Sequence, residues 1–570
     1  MLTAYLTGYA LFRVAERQFQ SPLNMTKDVV LAAGTVFLMV LSEICSLFNG
    51  VGAVATLLLA MITVTGMVIF RKPLQQKADS FWRNIRTSAA RMLPETATVW
   101  ILLLILFVLF LSRSAMQPSS YDDYLYHAQA LEWIERYGVV PGLGNLHFRF
   151  AYNSAFLCLQ ALFSWQWMTG QSLHTVNALY AFLLSAYCIS SFSFLKYDKS
   201  RSVSERTVLT SDLLKLIALV YLFYDTSVLS GLDTDPLAMI TVIYIFIKWS
   251  ELMERQEESG VPYALLSLLA VSACTLKLSC GAMILLALYP LSIFIRRRQG
   301  RAIGICTASG VIILLPYLIR NVIISGYLLY PMSGIDLFSV DWKMPVYTLV
   351  EDRQGILIWG RSLNSLLSAG KSWEEVAAMP FVQWFPIWFR SISHIQQLLF
   401  LLASVAAVDF LFHMVMHLIR RTMPDGREFL LFAGIGCFAF WLFSAPLIRY
   451  GSLYMMIVAG CWIGVYHRKR SGLLLVLWIL LLAIELSGLP AGRMIKPADY
   501  SVENSIIETR VYFLKKNNEE ESDRNYIMIY TPKDGDRVDY IHFPSIPSEE
   551  RLEKIELRGS VLKDGFRNIQ

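Results

Sequence analysis

Long apolar runs separated by short polar segments dominate this sequence and most constrain its fold. A helix needs roughly 20 apolar residues to cross the hydrocarbon core of a bilayer, and runs of about that length recur between residues 29 and 488. Charged residues make up only 16% of the chain, whereas about a quarter of the residues of a soluble domain are charged. The pattern predicts an all-α polytopic membrane protein.

The apolar runs predict about thirteen transmembrane helices. One run, 262–295, is read as a hairpin of two short helices because it is too long for one. Residues 1–13 are too short to span, and they lack the residue order of a cleavable signal peptide. The predicted spans are 29–48, 51–70, 97–113, 172–195, 213–230, 236–250, 262–295, 302–324, 395–418, 428–446, 451–467 and 471–488.

Lysine and arginine indicate which ends of the spans face the cytoplasm. The segments that follow residues 70 and 195 contain both lysine and arginine, and those that follow residues 295 and 418 contain several arginines. Short basic loops lie on the cytoplasmic side of a membrane. Two long segments, 114–171 and 325–394, are therefore predicted to be external loops with amphipathic helices. The net charge of +6 reflects these basic loops, and nothing in the pattern indicates a nucleic-acid partner.

The same pattern divides the chain into three parts. Residues 1–96 hold the N-terminal spans and a cytoplasmic basic loop, and residues 97–489 form the main transmembrane domain. Residues 490–570 are polar, with a strand-like run and several turn signals. They are predicted to form a small extracytoplasmic α/β appendage.

Two acidic clusters are predicted to lie on the same outer face. Tyr-Asp-Asp-Tyr-Leu-Tyr-His at residues 121–127 follows an apolar span, and Asp233 and Asp235 stand in a later external loop. If the first stretch is helical, Asp123 and His127 share one face at the i, i+4 spacing. The alternative interpretation is an acidic juxtamembrane loop that only caps a helix.

Three cations are predicted near the same face: Lys277 in the hairpin, Arg320 near the outer end of a span, and Arg449 in an outer turn. A charge at the bilayer centre costs roughly 2.5 to 3.5 kcal/mol, so such residues usually pair or mark a functional cavity. Arginine and lysine both suit a phosphate ligand. The planar guanidinium of arginine donates two hydrogen bonds to it, and the ammonium of lysine is a compact charge. The structural alternative is that Lys277 and Arg320 only neutralise Asp233 and Asp235.

Short motifs accompany these charges: Asp122-Asp123-x-x-Tyr126-His127, Trp133, Pro141-Gly142-Leu143-Gly144-Asn145, Arg320-Asn321 followed by Gly326 and Tyr330-Pro331, and Arg449-Tyr450. In their order and sidedness they resemble the GT-C superfamily of membrane glycosyltransferases, and most closely a bacterial branch of uncharacterised GT-C-like proteins. The similarity covers about residues 95–470. The chain departs from the simplest members in having two spans, rather than one, before the acidic loop.

The resemblance implies an inverting glycosyltransferase with a catalytic domain over residues 97–489. It would move a sugar from a polyprenyl-phosphate-linked donor to an extracytoplasmic glycan, lipid or protein acceptor in cell-envelope synthesis. The implied location is the bacterial inner membrane, with the active site facing the periplasm or the outside.

The resemblance also implies roles for individual residues. Asp122 or Asp123 would be the general base, and Lys277, Arg320 and Arg449 would bind the donor phosphate. The residues expected to orient the substrate are His127, Tyr126, Asp233, Asp235, Asn321 and Tyr450. No cofactor is certain, because metal dependence varies among GT-C enzymes. The candidate ligands for a divalent cation are Asp122, Asp123, His127 and Asp235.

A polymerase or a transporter of lipid-linked glycans is the alternative function. A transporter should show repeat symmetry and broken helices in corresponding halves of the chain, and only the run 262–295 looks broken. The eight cysteines lie almost all in apolar runs without metal-type spacing, and they are expected to be packing residues.

Overall fold

The computed structural model describes most of the chain and shows it to be mostly helical. The described residues are 1–19, 23, 26–76, 79, 94–116, 118, 120–192, 209–224, 229–467, 508–515, 526–538 and 540–569. The predicted span 471–488 lies outside them. Each of the other predicted spans overlaps a helix in the described part of the chain, so the apolar runs identified helical segments correctly.

The described α-helices are numbered in order from the N-terminus. They are α1 Leu2–Phe19, α2 Lys27–Phe48, α3 Ala53–Ile69, α4 Pro94–Ser114, α5 Ala128–Tyr137, α6 Leu143–Leu146, α7 Ala155–Leu162, α8 Gln166–Thr169, α9 Val176–Ser191, α10 Thr210–Tyr224 and α11 Asp235–Glu254. The second half contains α12 Gly260–Leu276, α13 Leu288–Arg296, α14 Gly300–Ser325, α15 Val346–Gly360, α16 Asn364–Ser368, α17 Trp373–Ala377, α18 Phe381–Ser391, α19 His394–Arg420, α20 Gly426–Ser444 and α21 Ile448–Tyr466.

Seven helical segments within the described residues are long and apolar enough to cross a membrane. They are α2, α11, Leu278–Arg296, α14, α19, α20 and α21. Four shorter apolar helices are Ala53–Ile69, Thr98–Ser114, Val176–Ser191 and Gly260–Leu276. Several apolar helices can therefore span a membrane, as expected of a multi-pass integral membrane protein, but the predicted count of about thirteen spans is not confirmed.

The predicted hairpin 262–295 breaks at Lys277. This residue is extended (φ −154°), so α12 ends at Leu276. A 3-10 helix over Leu278–Ala287 then runs back along α12 and leads into α13. The second arm is thus a continuous 19-residue apolar segment, longer than the short helix that the sequence predicted.

The first predicted external loop packs on the end of α2. Val51 donates its N–H to the carbonyl of Ile134 at 2.9 Å, and Val139 donates to the carbonyl of Ser46 at 2.8 Å. These backbone bonds fix α5 across this end of the helical bundle, called the site end below. Trp133 of α5 is fully buried, so this motif residue packs inside the protein.

The second predicted external loop holds four helices, α15 to α18, which agrees with the prediction of helices in this loop. In α18, Trp384 and Trp388 are buried while Phe381 and Val382 are exposed. The indole N–H of Trp388 donates to the carbonyl of Pro446 at 2.7 Å. The loop is thereby tied to the turn between α20 and α21.

The C-terminal region contains two small antiparallel sheets. Strand β1 (Thr509–Lys515) pairs with β2 (Tyr526–Pro532), and β3 (Ile555–Leu557) pairs with β4 (Phe566–Asn568). Its described residues add 3-10 turns but no α-helix, so the α/β prediction holds there only for the strands. Phe566 donates its N–H to the carbonyl of Pro141 at 2.9 Å, which places this region at the site end.

Candidate functional site

A π-helical turn over Asp123–His127 carries the first acidic cluster. Such single turns occur frequently at functional sites. Nδ1 of His127 lies 3.2 Å from Oδ1 of Asp123, and both side chains are buried. The predicted proximity of Asp123 and His127 is therefore confirmed, although the turn is π-helical.

The second acidic cluster docks against this turn. The backbone N–H of Leu232 donates to Oδ1 of Asp123 at 2.9 Å, and Asp233 Oδ1 lies 3.8 Å from Nδ1 of His127. The amide of Asn177, at the start of α9, donates to the carbonyls of Gly231 (3.3 Å) and Asp233 (3.0 Å). The sequence interpretation missed Asn177, for which the only signal was an amide at the start of an apolar run.

Gly231 allows this close approach. A Cβ added there would lie 2.4 Å from Oδ2 of Asp123. We expect Gly231→Ala to lower the free energy of unfolding by about 1 to 3 kcal/mol, since an extra methyl group in a packed site forces its neighbours to shift. Thermal unfolding in detergent measures this. Gly281→Ala, where an added Cβ meets no atom within 4 Å, is the matched control, and equal losses in both variants would contradict the prediction.

Asp122 points to arginines rather than to His127. Its Oδ2 accepts a hydrogen bond from Nη2 of Arg449 at 2.6 Å, and its Oδ1 lies 3.8 Å from Nη1 of Arg149. The Asp122 side chain is 15% exposed, against 2% for Asp123. Of the two adjacent carboxylates, Asp122 is thus the more accessible.

The adjacent carboxylates also differ in acidity. Burial acts to raise the pKa of Asp122, but the opposing positive charge of Arg449 prevails and holds that pKa below its ordinary value. Burial raises the pKa of Asp123 to about 6. Asp122 therefore stays ionised near neutral pH, whereas Asp123 takes up a proton in mildly acidic solution.

Lys277, Asp235, Arg449 and Tyr450 form the other side of the site. Nζ of Lys277 pairs with Oδ1 of Asp235 and lies 3.5 Å from the centre of the Tyr450 ring. Nε of Arg449 lies 3.9 Å from Oδ2 of Asp235, and Nη2 of Arg449 donates to the hydroxyl of Tyr450. Because Arg449 also binds Asp122, one contact network joins both acidic clusters to two cations.

Tyr126 belongs to the π-helical turn and packs against other side chains of the first external loop. Its ring centre is 4.2 Å from that of His127 and 5.8 Å from that of Tyr152, and the guanidinium of Arg149 lies 5.8 Å from the Tyr126 ring. The predicted substrate-orienting residue Tyr126 therefore lies in the acidic turn itself, beside His127.

Arg320 and Asn321 are placed differently from the prediction. Arg320 donates to Oδ1 of Asn153 at 3.0 Å and to the hydroxyl of Ser46, while Asn321 donates to the carbonyl of Leu328 at 2.9 Å. Across the described residues, neither side chain hydrogen-bonds or ion-pairs with an acidic residue of the site. The end of α14 turns Arg320 towards α2, so this arginine links helices.

Asp123, His127 and Asp233 could hold a metal ion, since one ligand atom from each lies within 4.8 Å of the other two. Oδ2 of Asp123 and Oδ2 of Asp233 are buried and have no hydrogen-bond partner among the described residues. Two carboxylates and an imidazole suit Mn²⁺ or Zn²⁺. Of the four predicted ligands, Asp122 and Asp235 do not belong to this group, because arginine and lysine pair with them.

The comparisons with known proteins assign no activity to the chain. No curated protein and no solved structure matches the chain. A family model described as a domain of unknown function, DUF8201, matches residues 1–456. The match includes every candidate site residue and ends before the C-terminal region. The chain therefore belongs to the DUF8201 family.

Proposed function

We propose that this protein is an inverting glycosyltransferase that takes a sugar from a polyprenyl-phosphate-linked donor. The observation that carries the proposal is the contact of Asp122, a partly exposed carboxylate, with Arg449. Arg449 and Lys277 both contact the ring of Tyr450, so the two cations lie close to this carboxylate. A base and two cations in one place are what a transfer with a phosphate leaving group requires. The membrane setting and the resemblance to GT-C enzymes support the choice of donor.

Asp122 is the general base in this proposal. An acceptor hydroxyl attacks the anomeric carbon and gives its proton to Asp122. The bond from that carbon to the phosphate oxygen breaks, and its electron pair leaves with the phosphate. A single displacement of this kind inverts the anomeric configuration. Asp123 is the alternative base, but its side chain is almost fully buried.

Lys277 and Arg449 stabilise the charge that develops on the leaving phosphate. Cations held in place before the reaction stabilise such a charge without reorganising. In the structure Lys277 pairs with Asp235 and Arg449 pairs with Asp122. When the donor binds, its phosphate would replace these carboxylates as the partner of the two cations. Arg320 has no part in this step, because its donors bind Ser46 and Asn153.

The site is proposed to face the outside of the bacterial inner membrane. The basic segments of the sequence support this orientation through the positive-inside rule. The acceptor is then an extracytoplasmic glycan, lipid or protein. Helices α15 to α18 and the C-terminal region, which are tied to the site end, would face it.

The test is transfer of labelled sugar from a panel of polyprenyl-phosphate donors in membranes that contain the wild type or Asp122→Asn at matched protein levels. We expect label in an acceptor with the wild type and little with the variant. Asp336→Asn is the matched control, because this carboxylate is exposed and pairs with Lys343 in the second external loop. Equal transfer by wild type and Asp122→Asn would exclude the proposed base.

A divalent cation at Asp123, His127 and Asp233 is compatible with this proposal, and it would supply positive charge beside the reacting groups. Free Mn²⁺ at 100 times its dissociation constant is expected to stabilise the wild type by about 2.7 kcal/mol. The expected result is a higher melting temperature in Mn²⁺ for the wild type and for His394→Ala, an exposed control. His127→Ala should show no rise, and an equal rise in all three proteins would contradict the site.

A transporter of lipid-linked glycans is the second candidate. It is favoured by the break between α12 and the following 3-10 helix at Lys277, since transporters bind their substrates at discontinuous helices. Movement of intact donor across the bilayer, without loss of its sugar, distinguishes this function from transfer.

A further inference from the structure

The C-terminal region contacts the acidic turn directly. Val538 donates its N–H to the carbonyl of Tyr124 at 2.6 Å, and Tyr124 lies inside the π-helical turn Asp123–His127. Asp536 accepts a hydrogen bond from the hydroxyl of Tyr121. These two contacts bracket the adjacent carboxylates in sequence.

Gln129 ties the helix after this turn to the same region. Its side-chain amide is fully buried. Nε2 donates to the carbonyl of His542 at 3.1 Å, and Oε1 accepts from the N–H of Ser545 at 2.9 Å. Both ends of one side chain therefore bind the backbone of the C-terminal region.

An aromatic cluster reinforces the attachment. The ring of Trp133 in α5 is 4.8 Å from that of Phe543 and 5.9 Å from that of Phe566. The Phe543 ring also stacks on Tyr137 at 6.2 Å. Trp133 and Phe566 are fully buried, so the cluster forms a small core between α5 and the C-terminal region.

The same region reaches the second external loop. Arg551 donates to the hydroxyl of Thr348 at 2.8 Å and to Glu351 at 2.7 Å. Arg558 makes a two-pronged contact with Asp341, at 2.8 and 3.1 Å. The C-terminal region thus bridges the loop that carries the acidic turn and the loop that carries α15.

We propose that residues 526–538 and 540–569 are a clamp that holds the Asp122 and Asp123 turn in place, with Gln129 and Phe543 as positioning residues. A π-helical turn is a rare and isolated conformation, and it persists when surrounding contacts hold it. The clamp supplies those contacts from a part of the chain more than 400 residues away. The inference does not rest on the transferase proposal, because its test measures backbone protection.

Hydrogen exchange followed by mass spectrometry of the full-length protein in detergent tests the clamp. Phe543→Ala removes the ring that contacts Trp133, and exchange over residues 121–137 is expected to rise about 10-fold or more as the turn opens locally. Exchange in α19 and α20 should not change. Ile569→Ala, at an exposed apolar position of the same region, is the matched control. Gln129→Leu is the second variant and is expected to act like Phe543→Ala.

A reversible cross-link between the C-terminal region and the acidic turn distinguishes a loss of positioning of that turn from a general loss of packing in the protein. Tyr121→Cys and Asp536→Cys, introduced together into Phe543→Ala, are expected to be joined by a bismaleimide that carries a disulfide in its spacer, because the ends of these side chains touch in the wild type. The spacer is needed because a direct disulfide requires Cβ atoms about 4 Å apart. The cross-link should restore slow exchange over 121–137, and a reductant, which cleaves the spacer, should reverse the effect. Three results would overturn the clamp: faster exchange in the C-terminal region with an unchanged turn, failure of the cross-link to form, or a cross-link that restores no protection.

Discussion

Asp122→Asn is expected to lower sugar transfer by about 100-fold or more, the usual loss when a general base is removed. The substitution keeps the size of the side chain and its contact with Arg449, so the amount of folded protein should remain close to that of the wild type. Initial rates with a saturating donor, at matched protein levels, measure the loss. Asp336→Asn should retain full activity, since its carboxylate lies on an exposed part of the second loop.

The pH dependence of the same reaction distinguishes Asp122 from Asp123. A base works only when deprotonated, so activity is lost as the pH falls through its pKa. The pKa of Asp122 lies below its ordinary value, so transfer that depends on it should stay level as the pH falls from about 8 to about 5. A fall in activity through about pH 6, the pKa that burial gives Asp123, would instead assign the base to Asp123.

Lys277→Ala is expected to lower transfer by about 100-fold, because it removes a fixed positive charge from the leaving phosphate. The same change leaves Asp235 without its closest cation, which also predicts a lower yield of folded protein. The substitution alone therefore does not separate binding of phosphate from neutralisation of a buried carboxylate.

The double variant Lys277→Ala with Asp235→Asn separates them. It removes the unpaired charge, so the yield of folded protein should recover while transfer stays low. Recovery of both would show that Lys277 only neutralises Asp235, which was the structural alternative given by the sequence. Protein yield by fluorescence-detected size exclusion and transfer rate, measured on the same preparations, provide the comparison.

The sequence predicted those features that depend on neighbouring residues. Apolar runs identified the helices, the i, i+4 spacing brought Asp123 to His127, and an isolated lysine marked the break between α12 and the following segment. Charge counting brought two acidic loops to one end, where Asp233 contacts the first turn. Local pattern was sufficient in each of these cases.

Other features depend on contacts that no local pattern encodes. Arg320, like Lys277, is a cation within an apolar run, yet the orientation of α14 turns the Arg320 side chain towards Ser46. The three residues that could hold a metal ion include Asp233 but not the predicted ligand Asp122, because Arg449, which is distant in sequence, binds Asp122. The attachment of the C-terminal region joins residues more than 400 positions apart, so a strand-like run alone gave no indication of its partner.

Purified protein reconstituted in vesicles with a labelled polyprenyl-phosphate sugar and an envelope extract as acceptor tests the central claim most directly. The account predicts that wild type releases the sugar from its lipid and joins it to an acceptor with inverted anomeric configuration. It also predicts that Asp122→Asn leaves the donor intact. Intact donor in every reaction, together with its movement across the bilayer, would contradict transfer and favour a transporter.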